Sequence, residues 1–267
     1  MTPPSFLQVL LGQTSIRPLT SAAEIAVTAF GLGVAACFAI SLVLSYFAGW
    51  TGVWCLAWGC YLALVQVWFH MSEFLIAAQY RPHDTYPYAF MIYHSSAYVM
   101  AQSAAYIEFF VETFLVPESW KLVKLQHPAI VAIGVLGVLV FYGIRMVAMI
   151  QCAESFALQV EYDKRPEHKL VRRGLYKVFR HPSYFGWFYN IIFSQLIFGN
   201  PICLVGFTLV TWKFFADRIP DEEAELQSKR FFGTDYYAYR NETIIGIPFI
   251  PAAPADPEVE AELKKSR

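Results

Sequence analysis

Long apolar runs alternate with short polar breaks along this chain, and the run lengths predict helices that cross a bilayer. From Ser21, suited to cap a helix start, an almost unbroken apolar body runs from about Ile25 to Phe47. Gly31 and Gly33 inside it suggest close contact with another helix, or a break. Gly49-Trp50-Thr51-Gly52 reads as a tight turn. A second run covers about Val53 to Phe74 and ends in Trp68, His70 and Glu73; the stretch 75–87, with Arg81, Pro82, His83, Asp84 and Pro87, reads as a loop. The third run, about Tyr88 to Val116, carries Glu108 and Glu112 one helical turn apart. Carboxylates in lipid are costly unless paired, neutralised or facing a cavity, and with Pro117 close behind both are expected at the interface. A connector with Lys121 and Lys124 leads to a fourth run, Ala129 to about Cys152. Arg145 within it is expected to snorkel or to form an ion pair.

A basic loop follows over 153–183, with Lys164, Arg165, Lys169, Arg172, Arg173, Lys177 and Arg180 against four acids. Two shorter runs, Tyr184–Phe198 and Ile202–Ala216, flank Gly199-Asn200-Pro201 and predict a helical hairpin, with Pro201 in the first turn of the second arm. Each arm makes roughly 22 Å of helix against a hydrocarbon core of about 30 Å, so the arms are expected to extend into the polar flanks. The fold class expected is all-α: a polytopic integral membrane protein with six to eight transmembrane helices. Six follow from the runs, and more if residues 5–20 or a broken first run add passages. The positive-inside rule puts the basic loop in the cytosol, and counting then puts residues 75–87 and both termini there too. The same count leaves Lys121 and Lys124 on the opposite side, against the rule.

Composition agrees with a membrane class: 57% hydrophobic and 15% charged residues, with a mean hydropathy of +0.41, whereas a soluble domain is about 25% charged. A net charge of −1 gives no reason to expect nucleic acid. Cys37, Cys55, Cys60, Cys152 and Cys203 show neither pairing nor metal spacing and read as buried thiols. The first residues lack the basic region and cleavage signature of a signal peptide, so the first spanning helix is expected to direct insertion. No internal repeat supports a transporter of two inverted halves.

The densest polar, aromatic and glycine cluster is Leu170–Trp187, at the edge of an apolar run. A second polar segment, Ala216–Tyr239, leaves the far end of the predicted hairpin, and the two are expected to meet. Together they hold His168-x-Leu170-Val171-x-x-Gly174-x-Tyr176-x-x-x-Arg180-His181-Pro182-x-Tyr184-x-Gly186 and then Arg218-x-x-x-Glu222-Glu223. This spaced set resembles the isoprenylcysteine carboxyl methyltransferase family, as do Gly199-Asn200-Pro201 and the ending Gly246-Ile247-Pro248-Phe249. The resemblance is strong over 150–251 and weak before it.

The resemblance implies an endoplasmic-reticulum membrane enzyme with a cytosolic cofactor pocket for S-adenosylmethionine. Such an enzyme methylates the C-terminal carboxylate of a farnesylated or geranylgeranylated cysteine, on Ras- and Rho-like GTPases and nuclear lamins. By position, His168, Lys169, Leu170, Val171 and Tyr176 meet the cofactor, and His181, Pro182, Ser183 and Tyr184 turn around its polar end. Glu222 matches the cofactor-binding acid, and Arg218 matches the arginine that receives the substrate carboxylate and is the catalytic candidate. Glu161 belongs to the same cofactor set; Gln159 is its rival, because Phe156-Ala157-Leu158-Gln159-Val160-Glu161 lacks the Asn-His that relatives carry there. The resulting organisation is an N-terminal arm (1–20), transmembrane helices (21–152), a catalytic region (153–251) holding the hairpin 184–216, and a flexible acidic tail (252–267).

The residue types suit that task. A zwitterionic, sulfonium-bearing cofactor needs donors for its carboxylate, an acid for its amine and aromatic or apolar walls for its base. A guanidinium stays charged in a low-dielectric site and grips a carboxylate by two hydrogen bonds. A carboxylate is already ionised at neutral pH, so neither a general base nor a metal is required. Arg173 and Arg180 compete for anion binding, and Glu223 is expected to support the site or pair with Arg218. The alternatives are another membrane enzyme, such as a phospholipid amine methyltransferase or a sterol reductase, or a transporter. Arg218 argues against a cationic acceptor, and polar residues clustered outside the spans argue against a transporter.

Overall fold

A computed structural model describes residues 21–82, 85–92, 94–117, 119–120, 125–259 and 261. The N-terminal arm, His83, Asp84, Lys121, Lys124 and the end of the tail lie outside the described residues. Within them the protein is all-α, with one isolated parallel bridge between Phe179 and Ile244. The helices are α1 Ser21–Phe47, α2 Val53–Tyr80, α3 Ser96–Phe114, α4 Pro128–Cys152, α5 Pro182–Phe198, α6 Pro201–Leu226 and the short α7 Thr234–Glu242.

Helices α1, α2 and α4 are long and apolar enough to cross a membrane. They also expose what a soluble protein hides: Phe30, Leu44 and Phe47 on α1 and Leu136 and Val140 on α4 face outward. A belt of bare apolar side chains on helices whose backbone bonds are internally satisfied is lipid-facing surface, and the protein is a multi-span membrane protein. Cys37 lies on this exposed face and is not the buried thiol expected; Cys55 and Cys203 are buried, and all five are free.

Several boundaries differ from the sequence pattern. Helix α1 is continuous, and a Cβ at Gly31 or Gly33 would meet nothing within 4 Å, so neither glycine marks a contact or a break. Helix α2 runs on to Tyr80, six residues past the expected end, and passes through a π-helical stretch at Leu62–Trp68. Helix α3 starts at Ser96 rather than Tyr88, because Pro87–Phe90 forms a 3₁₀ turn that ends on Met91 in the left-handed region (φ 62°). Ser95 then caps the new helix by accepting from the Tyr98 N–H at 3.1 Å.

The core of the assembly is the contact of α4 with α5. It is close because of glycine. A Cβ at Gly137 would overlap the Phe193 ring, and one at Gly186 would stand 2.5 Å from the Phe141 carbonyl and 2.8 Å from the Arg145 nitrogen. Helices α5 and α6 are joined by Gly199, at φ 70°, and Asn200. Pro201 occupies the first turn of α6, where its missing N–H costs nothing. Glu108 of α3 caps that turn: its carboxylate accepts from the Ile202 and Cys203 N–H groups, each at 2.6 Å. It is thus a helix-terminus anion, paired with the start of α6. Helix α6 continues past Ala216 to Leu226, so Arg218, Glu222 and Glu223 are helical.

Beyond α7, Ile245 and Ile247 pack against Phe188, Phe215 and Ile219. Trp212 donates its indole N–H to the Pro248 carbonyl at 2.8 Å. Part of the stretch expected to be a loose tail is packed: Ala253 and Val259 are buried, and the Ala253 N–H donates to Glu223 at 3.2 Å.

Candidate functional site

The polar loop after α4 folds back on itself through its own side chains. Ser155 accepts from the Lys169 N–H at 3.0 Å, which stitches the end of α4 to the His168–Val171 strand of the loop. Gln151 accepts from the Leu175 N–H at 2.9 Å beside Gly174, whose φ of 61° turns the chain into the 3₁₀ segment holding Tyr176. The parallel bridge then pins Arg180, whose N–H donates to the Ile244 carbonyl at 3.0 Å. Pro182 opens α5. The two polar segments do meet, and a cleft of about 800 Å³ of empty space, partly continuous with solvent, lies between them.

The eleven cofactor-candidate residues all line this cleft: Glu161, the run His168, Lys169, Leu170 and Val171, then Tyr176, the turn His181, Pro182, Ser183 and Tyr184, and Glu222. Gln159 lines it as well, so geometry does not separate it from Glu161. The Glu161 carboxylate is engaged with Arg165 at 2.7 Å and His168 Nδ1 at 3.1 Å. Burial pushes the His168 imidazole below its ordinary value, against the pull of Glu161. Its ring meets Phe231 and Phe232 edge-on.

Arg218 is not on the cleft wall. It stands beside it, with Nε donating to the Tyr184 hydroxyl at 3.0 Å and Nη2 to the Leu158 carbonyl at 2.8 Å. The Tyr184 hydroxyl in turn donates to Glu222. One turn of α6 therefore presents a guanidinium and a carboxylate, 3.7 Å apart, on either side of one phenol. Nη1 of Arg218 has no hydrogen-bond partner among the described residues.

Of its two expected roles, Glu223 takes support of the site rather than a pair with Arg218. It is fully buried and accepts from Arg180, from His181 Nε2 at 3.2 Å and from the Ala253 N–H. Burial alone would raise its carboxyl, but His181 and Arg180 overcome this and hold it down, to about 2. Arg180 also donates through Nη1 to the Thr243 carbonyl at 2.7 Å, so its Nε and Nη1 are engaged in structure although the residue touches the cleft. Arg173 is exposed and lies off the cleft.

The outer wall is what the sequence reading missed. Phe231, Phe232, Tyr236 and Tyr239 close the cleft from the segment following α6. The Tyr239 hydroxyl donates to the Tyr176 carbonyl at 2.8 Å, whereas the Tyr236 hydroxyl is buried with no partner among the described residues. The aromatic spacing from Phe231 to Tyr239 was the available signal. A buried orphan hydroxyl on a cleft wall also fits a polar ligand there, since burial without a bond is costly.

A second cavity, about 590 Å³ of empty space partly continuous with the surroundings, opens between the helices. Phe69, Val65, Trp187, Ile191, Phe207 and Val210 give it a mainly apolar wall. Asn190 and Gln195 also line it; Gln195 bonds Ser194 and Asn200 within its own hairpin and also engages Tyr61 of α2. Between the two cavities sits Arg145, which does not snorkel: it is buried and bound to Glu73 through Nε at 2.7 Å and Nη2 at 3.1 Å.

Comparison with known proteins gives consistent matches. The profile of the "Isoprenylcysteine carboxyl methyltransferase (ICMT) family" matches residues 132–228. A protein-S-isoprenylcysteine O-methyltransferase from Xenopus laevis is 38% identical over 189 residues, 71% of this chain and 63% of that protein. The one from Saccharomyces cerevisiae is 39% identical over 184 residues, 68% of this chain and 76% of that protein. The solved structure of a eukaryotic intramembrane Ras methyltransferase, isoprenylcysteine carboxyl methyltransferase, superposes with a TM-score of 0.80 at 32% identity, covering 93% of this chain and 82% of that one. The matched region spans 63% and 66% of the Xenopus laevis and Tribolium castaneum relatives, just under two thirds of each.

Proposed function

Because the chain belongs to the isoprenylcysteine carboxyl methyltransferase family, we propose that it esterifies the C-terminal carboxylate of prenylated cysteines with a methyl group from S-adenosylmethionine. The observation that carries this reading is the Arg218–Tyr184–Glu222 arrangement. It sets an anion-binding guanidinium next to, but outside, a cleft whose walls match a zwitterionic nucleoside-like ligand.

His168, the 169–171 backbone, Tyr176, the His181–Tyr184 turn, Glu222 and either Glu161 or Gln159 hold the cofactor in this reading. When bound, S-adenosylmethionine supplies an electrophilic methyl group on a positively charged sulfur. Arg218 receives the acceptor carboxylate through Nη1, orienting one oxygen while leaving its attacking lone pair unblocked. Tyr184 fixes the guanidinium relative to Glu222 and so fixes acceptor relative to donor, which is where positioning lowers the barrier. The acceptor needs no base, since its carboxylate is ionised at neutral pH. Anion and cation neutralise each other in the reaction, so a site shielded from water favours it.

The second cavity suits a farnesyl or geranylgeranyl chain entering sideways between helices, its apolar wall meeting the cleft region at Trp187 and Ser183. In this reading α5 and α6 form a hairpin that reaches into the bilayer, and the described helices make six passages. The cleft faces the cytosol from the endoplasmic-reticulum membrane. Ras- and Rho-like GTPases and lamins are the carriers such a site would serve.

Binding tests the cofactor half directly. Purified protein in lipid nanodiscs should take up S-adenosylhomocysteine at one molecule per chain, with Glu222→Ala weakening it. Failure of the intact protein to bind either form of the cofactor contradicts the assignment.

A further inference from the structure

The cofactor and acceptor roles leave one costly feature unused: the Glu73–Arg145 pair, buried among α2, α4 and α5. Buried ion pairs add little net stability, and apolar replacement of both partners is often neutral or better. What such a pair does supply is direction. A guanidinium is planar and fork-shaped, so fixing two of its nitrogens fixes the third. Glu73 takes Nε and Nη2 of Arg145, and Nη1 then donates to the Ser183 hydroxyl at 2.8 Å. The Trp187 ring covers the guanidinium face at 4.8 Å, separating the charge from the apolar cavity that Trp187 and Phe69 line. Tyr142 completes the frame, its hydroxyl within hydrogen-bond reach of Ser72 at 2.6 Å and of the Phe69 carbonyl at 3.1 Å. The approach is permitted by Gly186, which lets α5 sit against the Arg145 backbone.

Ser183 lies on the wall of the cofactor cleft. A hydroxyl has one proton to give. With its oxygen accepting from Arg145, and no other bond made by Ser183 among the described residues, that proton is left to be donated into the cleft. We infer that Glu73 and Arg145 are positioning residues that orient the Ser183 hydroxyl as a donor to an anionic group of the bound ligand, the carboxylate of its amino-acid end. Neither residue touches the reacting atoms; each acts through Ser183. The inference rests on the cofactor reading of the cleft.

A double-mutant cycle on S-adenosylhomocysteine affinity, measured calorimetrically on the full chain in nanodiscs, tests it. Ser183→Ala should weaken binding about tenfold, the loss of one hydrogen bond to a charged group. Glu73→Gln/Arg145→Met removes both charges together and should weaken binding by a similar factor while melting no lower than the native protein. Adding Ser183→Ala to that pair should cost nothing more, and the KM for the prenylcysteine acceptor should stay unchanged throughout. Native affinity in the charge-free pair, or losses that multiply with Ser183→Ala, overturns the inference. Should the charge-free pair fail to fold, Arg145→Lys, which keeps the charge but not the fork, carries the same cycle: non-multiplying loss supports the inference and multiplying loss overturns it. A native protein that binds no cofactor is a different result and removes the underlying reading itself.

Discussion

Arg218 and Tyr184 meet across α6 and α5 at 3.0 Å, and the same phenol reaches Glu222 one turn further along. The contact couples two sites that the proposal keeps chemically distinct, an acceptor anchor and a donor pocket.

That division makes a direct prediction. Arg218→Ala should cut turnover on the order of a hundredfold, the usual cost of removing one partner from a desolvated carboxylate contact, with cofactor affinity almost kept. Glu222→Ala should chiefly weaken the cofactor. Steady-state kinetics with parallel cofactor titration separate the two, and equal losses of cofactor affinity would refute the division.

Glu223 should behave as structure rather than chemistry. Its carboxyl is held at about 2, from an ordinary value of 4.5. A depressed carboxyl contributes stability that is present in full above 4.5 and is lost as the pH falls through about 2. The amount is on the order of 3 kcal/mol. Thermal melts in nanodiscs should therefore show Glu223→Gln less stable than the native protein at pH 6, with the gap closing between pH 4.5 and 2. A gap that does not change over that window would show that the carboxylate is not held by His181 and Arg180.

Tyr236→Phe should separate ligand binding from folding. Its hydroxyl is buried without a partner among the described residues, so removing it should leave the unliganded protein equally or slightly more stable. Cofactor affinity should fall several-fold if the hydroxyl meets the ligand. An unchanged binding isotherm would place the ligand away from α7.

Glu108→Ala strips the carboxylate from the first turn of α6 and should destabilise the protein by about 1–2 kcal/mol. Glu108→Gln, which keeps an uncharged acceptor, should lose less. Equal melting temperatures in all three would mean that the cap is incidental.

Much of this was legible in the chain. Run length and apolarity mark α1, α2 and α4 because lipid demands a continuous apolar helix, and the spaced motif picks out a residue set that the fold gathers around one cleft. What the chain left open shares a cause with what it hid: both depend largely on partners far apart in sequence. Arg145 reads as either a snorkelling cation or half of an ion pair, and Glu73 of another helix decides for the pair. Glu223 reads as either a support of the site or a partner for Arg218, and Arg180 and His181 decide for the first. The capping role of Glu108 was not legible, because nothing local says that the start of α6 lies against it. Helix α3 began late because Met91 takes a left-handed backbone that apolarity does not report. The aromatic wall at Phe231–Tyr239 was visible as a composition, but its place at the cleft depends on how the chain turns after α6 and folds α7 back.

The central claim is a methyl ester on a prenylated cysteine. The direct measurement is incubation of purified protein in nanodiscs with methyl-labelled S-adenosylmethionine and N-acetyl-S-farnesylcysteine, followed by base hydrolysis. The account predicts label in the farnesylcysteine product, released as methanol by base, with the signal lost in Arg218→Ala. Cofactor binding without label transfer to the prenylcysteine carboxylate, or label that resists base, would contradict it.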